Sequence, residues 1–346
     1  MIKIENIVRP NILELQPYSS ARDEFSGKEG VFLDANENPF GTLNRYPDPY
    51  QKELKQKLAE QKGVANNTIF VGNGSDEVID LAFRIFCRPG IDKALIFSPT
   101  YGMYDVSASI NNVALIKLPL NKDFQLDLEK IKPYLSDNNI KLIFICSPNN
   151  PTGNLINKAD IEFILNNFNG IVMIDEAYID FSNEASWISK LENYPNLIVT
   201  QTLSKAYAMA GIRLGICYAS TEIIKVLNTI KPPYNINELT QKKAIELLSI
   251  KDLASNQIKD ILKERSSLIS ELKTIKYVSK IYSSDANFVL VKVDDANLRY
   301  NQLIEKGIVI RNRTTQPGCE NTLRLTVGSP EENKILIKAL TDLSGL

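Results

Sequence analysis

Between residues 68 and 219 the chain repeats one pattern: short, uninterrupted apolar runs separated by stretches with helical spacing. The runs are Thr68-Ile-Phe-Val71, Ala94-Leu-Ile-Phe97, Leu142-Ile-Phe-Ile-Cys146, Ile171-Val-Met-Ile174, Leu197-Ile-Val199 and Leu214-Gly-Ile-Cys-Tyr218. A strand with one wet face alternates apolar and polar residues, whereas an unbroken run is buried on both faces. With helices between them, such strands form a mostly parallel sheet covered by helices. One of those helices, predicted from Asn157 to Phe168, carries Ile161, Ile164, Leu165 and Phe168 on one face and stops at Gly170.

After about residue 240 the pattern changes. A long helical stretch (Ile245, Leu248, Ile258, Ile261, Leu262, Leu268, Ile269) leads into short strands at Phe288–Val291 and Ile308–Arg311. A final helix opens with Ser329-Pro-Glu-Glu332, a capping box with proline at the first helical position. The pattern predicts an α/β fold in three parts. An N-terminal arm covers residues 1–33, a large domain with a mostly parallel sheet covers 34–240, and a smaller α+β domain covers 241–346.

Composition narrows the chemistry. The 346 residues carry 40 basic and 41 acidic side chains, so no polybasic face points to nucleic acid or an anionic membrane. No apolar run reaches membrane-spanning length and the first residues do not read as a signal peptide, so a cytoplasmic protein is expected. The four cysteines (Cys87, Cys146, Cys217, Cys319) are far apart, as expected of buried thiols, and no metal site is expected. There is no histidine. Ser–His relays and histidine general bases are thereby excluded, and acid–base work falls to Lys, Tyr, Asp or Glu.

Lys205 stands out in that light. It follows the run Leu197–Thr200 within Thr202-Leu-Ser-Lys-Ala-Tyr-Ala-Met-Ala-Gly-Ile-Arg213-Leu-Gly215. A lysine at a strand end in apolar surroundings loses solvation, which lowers its pKa and frees the amine for Schiff-base chemistry. The natural aldehyde partner is pyridoxal phosphate, whose site pairs such a lysine with an acid at the pyridine nitrogen. A solvated lysine in an ordinary βαβ loop is the competing reading.

Three further segments fall at strand ends, where ligands of open α/β sheets collect. Gly72-Asn-Gly74-Ser75-Asp76-Glu77 opens a helix with Val78, Leu81, Ala82 and Ile85 as its apolar face. Its backbone N–H groups and helix dipole suit a phosphate, although Ser75 or Asp76 could equally be a plain N-cap. Ser147-Pro-Asn149-Asn150-Pro151-Thr-Gly153 reads equally well as turn chemistry. Asp175, at the end of Ile171–Ile174, is costly to bury without a cation, and a pyridinium would serve. A magnesium-binding acid would need a Gly-x-x-x-x-Gly-Lys-Ser/Thr loop, and a nicotinamide dehydrogenase a Gly-x-Gly-x-x-Gly; neither is present.

Taken together, Asn150, Asp175, Tyr178, Ser204, Lys205 and Arg213 resemble the fold-type-I pyridoxal-phosphate aminotransferases. The stretches Gln16-Pro-Tyr18-Ser-Ser-Ala-Arg22, Asp34-Ala-Asn-Glu-Asn-Pro39, Asn44-Arg-Tyr46-Pro47, Ser98-Pro-Thr-Tyr101-Gly-Met-Tyr104, Val309-Ile-Arg311-Asn-Arg313 and Leu323-Arg324-Leu-Thr-Val-Gly328 look like the histidinol-phosphate aminotransferase family. The resemblance runs from about residue 9 to 330. It implies Lys205 as the Schiff-base lysine, Asp175 on the pyridine nitrogen, and Asn150 and Tyr178 on the cofactor's phenolic oxygen. It further implies Tyr101 stacked on the ring, and Ser75, Ser204, Arg213 and the Ser75–Asp76 backbone around the cofactor phosphate. Tyr46 would reach the phosphate of a neighbouring subunit, making a homodimer. Tyr18, Arg311 and Arg324 would bind the substrate's phosphate, and Arg324 the carboxylate of glutamate as well. Arg313 falls on the same strand face as Arg311 by the period of two. The implied reaction is transamination between L-histidinol phosphate and 2-oxoglutarate in histidine biosynthesis. Rivals sharing the cofactor residues are an aromatic amino-acid aminotransferase and an amino-acid-phosphate decarboxylase. A non-catalytic cofactor-binding regulator would need a DNA-binding module, for which the residues before Asp34 are too few.

Overall fold

The computed structural model describes residues 3–16 and 30–343. Seven strands form the larger sheet: β1 (Ile69–Asn73), β2 (Lys93–Ser98), β3 (Ala114–Pro119), β4 (Ile140–Cys146), β5 (Ile171–Asp175), β6 (Leu197–Thr202) and β7 (Leu214–Ala219). Their order is β1-β7-β6-β5-β4-β2-β3. Pairing is parallel from β3 across to β6, and β7 runs antiparallel to both β6 and β1. All the predicted apolar runs are strands of this sheet, and both of their faces are buried. Ile69, Val71, Leu95, Val172 and Ile174 point into one core, while Phe70, Ala94, Ile96, Ile171 and Met173 point into the other.

The sequence pattern missed β3, an edge strand whose residues are mostly exposed or half-buried and whose Lys117 interrupts the apolar run. The helix expected from Asn157 spans Lys158–Asn167, with Asn157 accepting from the Ala159 N–H as its N-cap. Phe168 closes it in extended conformation, ahead of Gly170, because Phe168 and Ile171 are already drawn into the sheet's two cores.

The second sheet is antiparallel, in the order β10-β11-β9-β8, from β8 (Val278–Ile281), β9 (Phe288–Val293), β10 (Arg311–Asn312) and β11 (Thr322–Thr326). The expected strand at Ile308–Arg311 is shorter and begins at its last residue, with Arg311 opposite Arg324. The helices Leu253–Leu272 and Pro330–Asp342 pack together, and Leu268, Leu272, Leu336 and Leu340 join the small sheet's own core. Ser329 caps the last helix through the full box: its hydroxyl accepts from the Glu332 N–H, and the Glu332 carboxylate accepts from the Ser329 N–H. Between the two sheets, Ala244 and Leu248 of the helix Glu238–Leu248 belong to the large sheet's core.

Candidate active site

Because β7 reverses, β1 runs in the same direction as β2 and β4–β6, so all five end at one edge and β7 begins there. A partly open cleft with about 490 Å³ of empty space lies at that edge. Ser75 and Asp76 come to it from the end of β1, Tyr101 from β2, and Cys146 and Asn150 from β4. From β5 come Asp175, Ala177 and Tyr178; from β6 come Thr202, Ser204 and Lys205; Arg213 precedes β7. All the residues named for the cofactor except Tyr46 are thus brought together.

Asp175 is 3% exposed. Its Oδ2 accepts from the Tyr104 hydroxyl at 2.8 Å and its Oδ1 from the Ala177 N–H at 3.1 Å. Burial raises its pKa above the ordinary aspartate value, and those two hydrogen bonds oppose the rise. Lys205 lies three residues beyond β6 with its amine 5.9 Å from the Tyr178 ring centre. Its side chain keeps access to solvent through the cleft mouth, yet the amine is held below the ordinary lysine value. Desolvation is the first cause and the cations of Arg324 and Arg213 add to it, against Asp175 and Asp76. Loss of solvation thus favours the neutral, nucleophilic form of the amine.

Ser75 and Asp76 are not N-caps. Gly74 holds that position with φ at 78°, and no side chain caps the helix Ser75–Phe86. Its first-turn N–H groups are thus left without a capping side chain. Gly215 presses against the Gly74–Ser75 backbone with no room for a Cβ. Arg213 adopts a left-handed conformation with φ at 53°, placing Nη1 3.5 Å from the Ser204 hydroxyl and Nη2 3.7 Å from Asp76. Asp76 also accepts from the Tyr101 hydroxyl at 3.0 Å. The Asp76 carboxylate is thereby engaged by Arg213 and Tyr101, leaving Ser75, Ser204, the backbone N–H groups and the guanidinium as an anion cradle.

Arg324 reaches over from the small sheet, its Nη1 donating to Asn150 Oδ1 at 2.5 Å. Burial and the nearby Arg313 and Arg311 cations push it down to about 10. The Nε atoms of Arg313 and Arg324 are buried without a partner, and no carboxylate pairs with Arg311, Arg313 or Arg324 among the described residues. Three guanidiniums without a counter-ion make a second anion-seeking cluster. Tyr46 lies elsewhere, stacked on Tyr234 at 4.4 Å between ring centres in a surface groove with Asn36, Glu37 and Leu239. Tyr18 lies outside the described residues.

Sequence reasoning missed two features. Tyr104, in the first turn of the helix Met103–Ile110, is the side-chain partner of Asp175. Glu176, directly after Asp175, is buried and accepts from the Ser186 hydroxyl, the Trp187 N–H at 2.8 Å and Gln201 Nε2 at 2.9 Å. A consecutive Asp-Glu pair at the end of an apolar run was the available signal for Glu176. For Tyr104 there was none beyond its place in the Tyr101 segment.

A buried carboxylate lacking a cation, a lysine held below its ordinary pKa and an uncapped helix end beside Arg213 together fit pyridoxal phosphate. The aminotransferase class I and II family model matches residues 26–340. A histidinol-phosphate aminotransferase from Christiangramia forsetii is 57% identical over 98% of this chain and 98% of its own. The crystal structure of the histidinol-phosphate aminotransferase from Clostridium acetobutylicum superposes with a TM-score of 0.81 at 28% identity, covering 88% of this chain and 91% of that one. That from Sinorhizobium meliloti in complex with pyridoxal-5'-phosphate shares the fold, with a TM-score of 0.79 at 22% identity over 90% of each chain. The chain belongs to the class I and II aminotransferases.

Proposed function

We propose that this protein is a histidinol-phosphate aminotransferase, transferring the amino group of L-histidinol phosphate to 2-oxoglutarate by way of pyridoxal phosphate in histidine biosynthesis. The observation that carries the reading is one cleft holding Lys205, Asp175 and the Gly74–Ser75/Arg213 cradle, in a chain 57% identical to a relative bearing that name.

When bound, the cofactor supplies an aldehyde and a ring that withdraws electrons from the substrate's Cα. The chain's own residues do the rest. Asp175 presents a carboxylate to the ring nitrogen and favours its protonated form. Ser75, Ser204, Arg213 and the first-turn N–H groups hold the phosphate, fixing the ring's distance from Lys205. Tyr101 would pack on the ring, and Asn150 with Tyr178 would hold its phenolic oxygen, since all three line the cleft. Lys205 Nζ would serve as the general base that takes the substrate's Cα proton, a role suited to an amine held below its ordinary value.

Substrate recognition falls to Arg311 and Arg324, with Tyr18. Their unpaired guanidiniums accept a phosphate in one half-reaction, and Arg324 the carboxylate of glutamate in the other. Tyr46 completes the cofactor phosphate site of a second subunit; the exposed apolar Val31, Leu33 and Phe40 nearby support a homodimer interface there. We place the boundary between the two domains after residue 248 rather than at 240, because Ala244 and Leu248 pack in the large sheet's core. Among the described residues no helix is long and apolar enough to cross a membrane.

The test is the visible spectrum of the cofactor-loaded protein, before and after adding L-histidinol phosphate without a keto acid. Conversion from the yellow to the near-ultraviolet amine form is expected. A yellow protein that ignores histidinol phosphate but converts with an aromatic amino acid would overturn the substrate, and one that never takes up pyridoxal phosphate would overturn the whole reading.

A further inference from the structure

Tyr104 is fully buried, and a buried phenol must find a hydrogen-bond partner. Its hydroxyl goes to the Asp175 carboxylate. Its ring is fixed by a stack: Phe144 of β4 lies 4.9 Å away at 24°, and Phe83 lies 5.2 Å beyond that. Phe83 belongs to the helix that carries Ser75 and Asp76, so the stack links the carboxylate to the anion cradle. On its other side Tyr104 meets Tyr101 edge-on at 5.7 Å and 88°.

A carboxylate offers about four acceptor positions. Two on Asp175 are taken, one on each oxygen, by Tyr104 and Ala177. The remaining lone pairs are left for a ligand in the cleft. The other titratable groups facing this carboxylate are Asp76, Lys205, Cys146, Tyr101 and Tyr178. Asp76 disfavours its negative charge and Lys205 favours it, whereas Tyr104 is the side chain that donates a hydrogen bond to it.

We infer that Tyr104 is a positioning residue for the cofactor: its hydroxyl keeps Asp175 ionised and aimed at the ring-nitrogen position, while its ring braces Tyr101 edge-on. The inference rests on the assignment of Asp175 to the ring nitrogen. Tyr104→Phe keeps the aromatic stack and removes only the donor. Without it the carboxylate protonates more readily, and ligand binding that needs the anion is lost sooner as pH falls. A charge-assisted hydrogen bond of ordinary strength corresponds to a shift of about one pH unit.

The probe is pyridoxamine 5'-phosphate, which binds without a bond to Lys205. Its dissociation constant is measured against full-length cofactor-free protein from about pH 5 to 8, for wild type, Tyr104→Phe and Asp175→Asn. Ionisation of the ligand itself is common to all three and cancels in the ratios. The expected result is near-equal affinity of Tyr104→Phe and wild type at the alkaline end, with the acid limb of the variant moved up by about one pH unit, a roughly tenfold loss on that limb. Asp175→Asn should lose the limb altogether. Identical profiles for wild type and Tyr104→Phe, or a loss by the same factor at every pH, would overturn the role of Tyr104 while leaving Asp175 in place. An Asp175→Asn profile matching wild type would overturn the assignment of Asp175 itself. Should Tyr104→Phe fail to fold, the infrared carboxyl difference between wild type and Asp175→Asn decides: an ionised Asp175 at neutral pH supports the inference, and a neutral acid overturns it.

Discussion

Two consecutive carboxylates, Asp175 and Glu176, sit buried at the end of β5 and face opposite ways. Glu176 points behind the sheet edge, where a hydroxyl, a backbone N–H and a side-chain amide converge on it. Asp175 points into the cleft with two donors and spare lone pairs. Burial raises the pKa of both above the ordinary carboxylate values. The difference lies in what completes them. Glu176 is completed by the fold and so holds the loop from Ser186 to Trp187 against β6. Asp175 is left incomplete by the fold, and an incomplete buried carboxylate at a strand end marks where a ligand supplies the missing charge.

The strongest test of this contrast removes the other incomplete group. Lys205→Ala should retain cofactor through the phosphate cradle and fold normally, while turnover falls by about three orders of magnitude or more. Single-turnover conversion of L-histidinol phosphate, read beside the melting curve, checks both halves; turnover near the wild-type level would end the assignment.

The two acids themselves should respond with opposite signs. Asp175→Asn should cut the rate of the first half-reaction by about a hundredfold or more, because an amide cannot stabilise a protonated ring nitrogen. It should also stabilise the cofactor-free protein, because it relieves an incompletely solvated charge. Glu176→Gln must turn its amide NH2 toward either the Trp187 N–H or the Gln201 amide, because the two donate to different carboxylate oxygens, and should cost about 1–3 kcal/mol of stability with the half-reaction preserved. Denaturant titration of both variants separates them. Since folding raises both carboxyl pKa values, the folded state binds more protons than the unfolded chain between the ordinary and raised values. Their contribution to stability therefore falls as pH rises through that window, and each replacement should flatten the slope.

The smallest effect lies at a helix cap in the small domain. Ser329→Ala removes one half of a satisfied cap and should cost about 1 kcal/mol with activity unchanged. A loss of activity there would mean that completion and function are not separable in this chain.

What the sequence made legible follows the same division. Strands buried on both faces announce themselves as unbroken apolar runs, and the capping box at Ser329 is local, so both were readable. The edge strand β3 was not, because an exposed Lys117 breaks the pattern that burial would have imposed. The gathering of Asn150, Asp175, Lys205 and Arg213 was readable because strand ends of an open sheet share one edge. What lay beyond reach was orientation. Nothing in Ser75-Asp76 says that Gly74 takes the cap and leaves the first turn's N–H groups without one. Nothing in Tyr104 separates a packing tyrosine from one whose hydroxyl meets a carboxylate 71 residues away.

The reversed strand β7 has a consequence for how such a site can be rebuilt. Crossover helices between parallel strands can lengthen or change partners, since each needs only to return to the sheet. The segment from Thr202 to Leu214 has no such freedom: both ends are pinned at one sheet edge by β6 and β7, and Gly215 is locked against Gly74–Ser75. A designer moving the anion cradle and Lys205 to another scaffold would have to carry β1, β6, β7 and that segment together as one cassette, and then supply the ends of β4 and β5 beside it for Asn150 and Asp175.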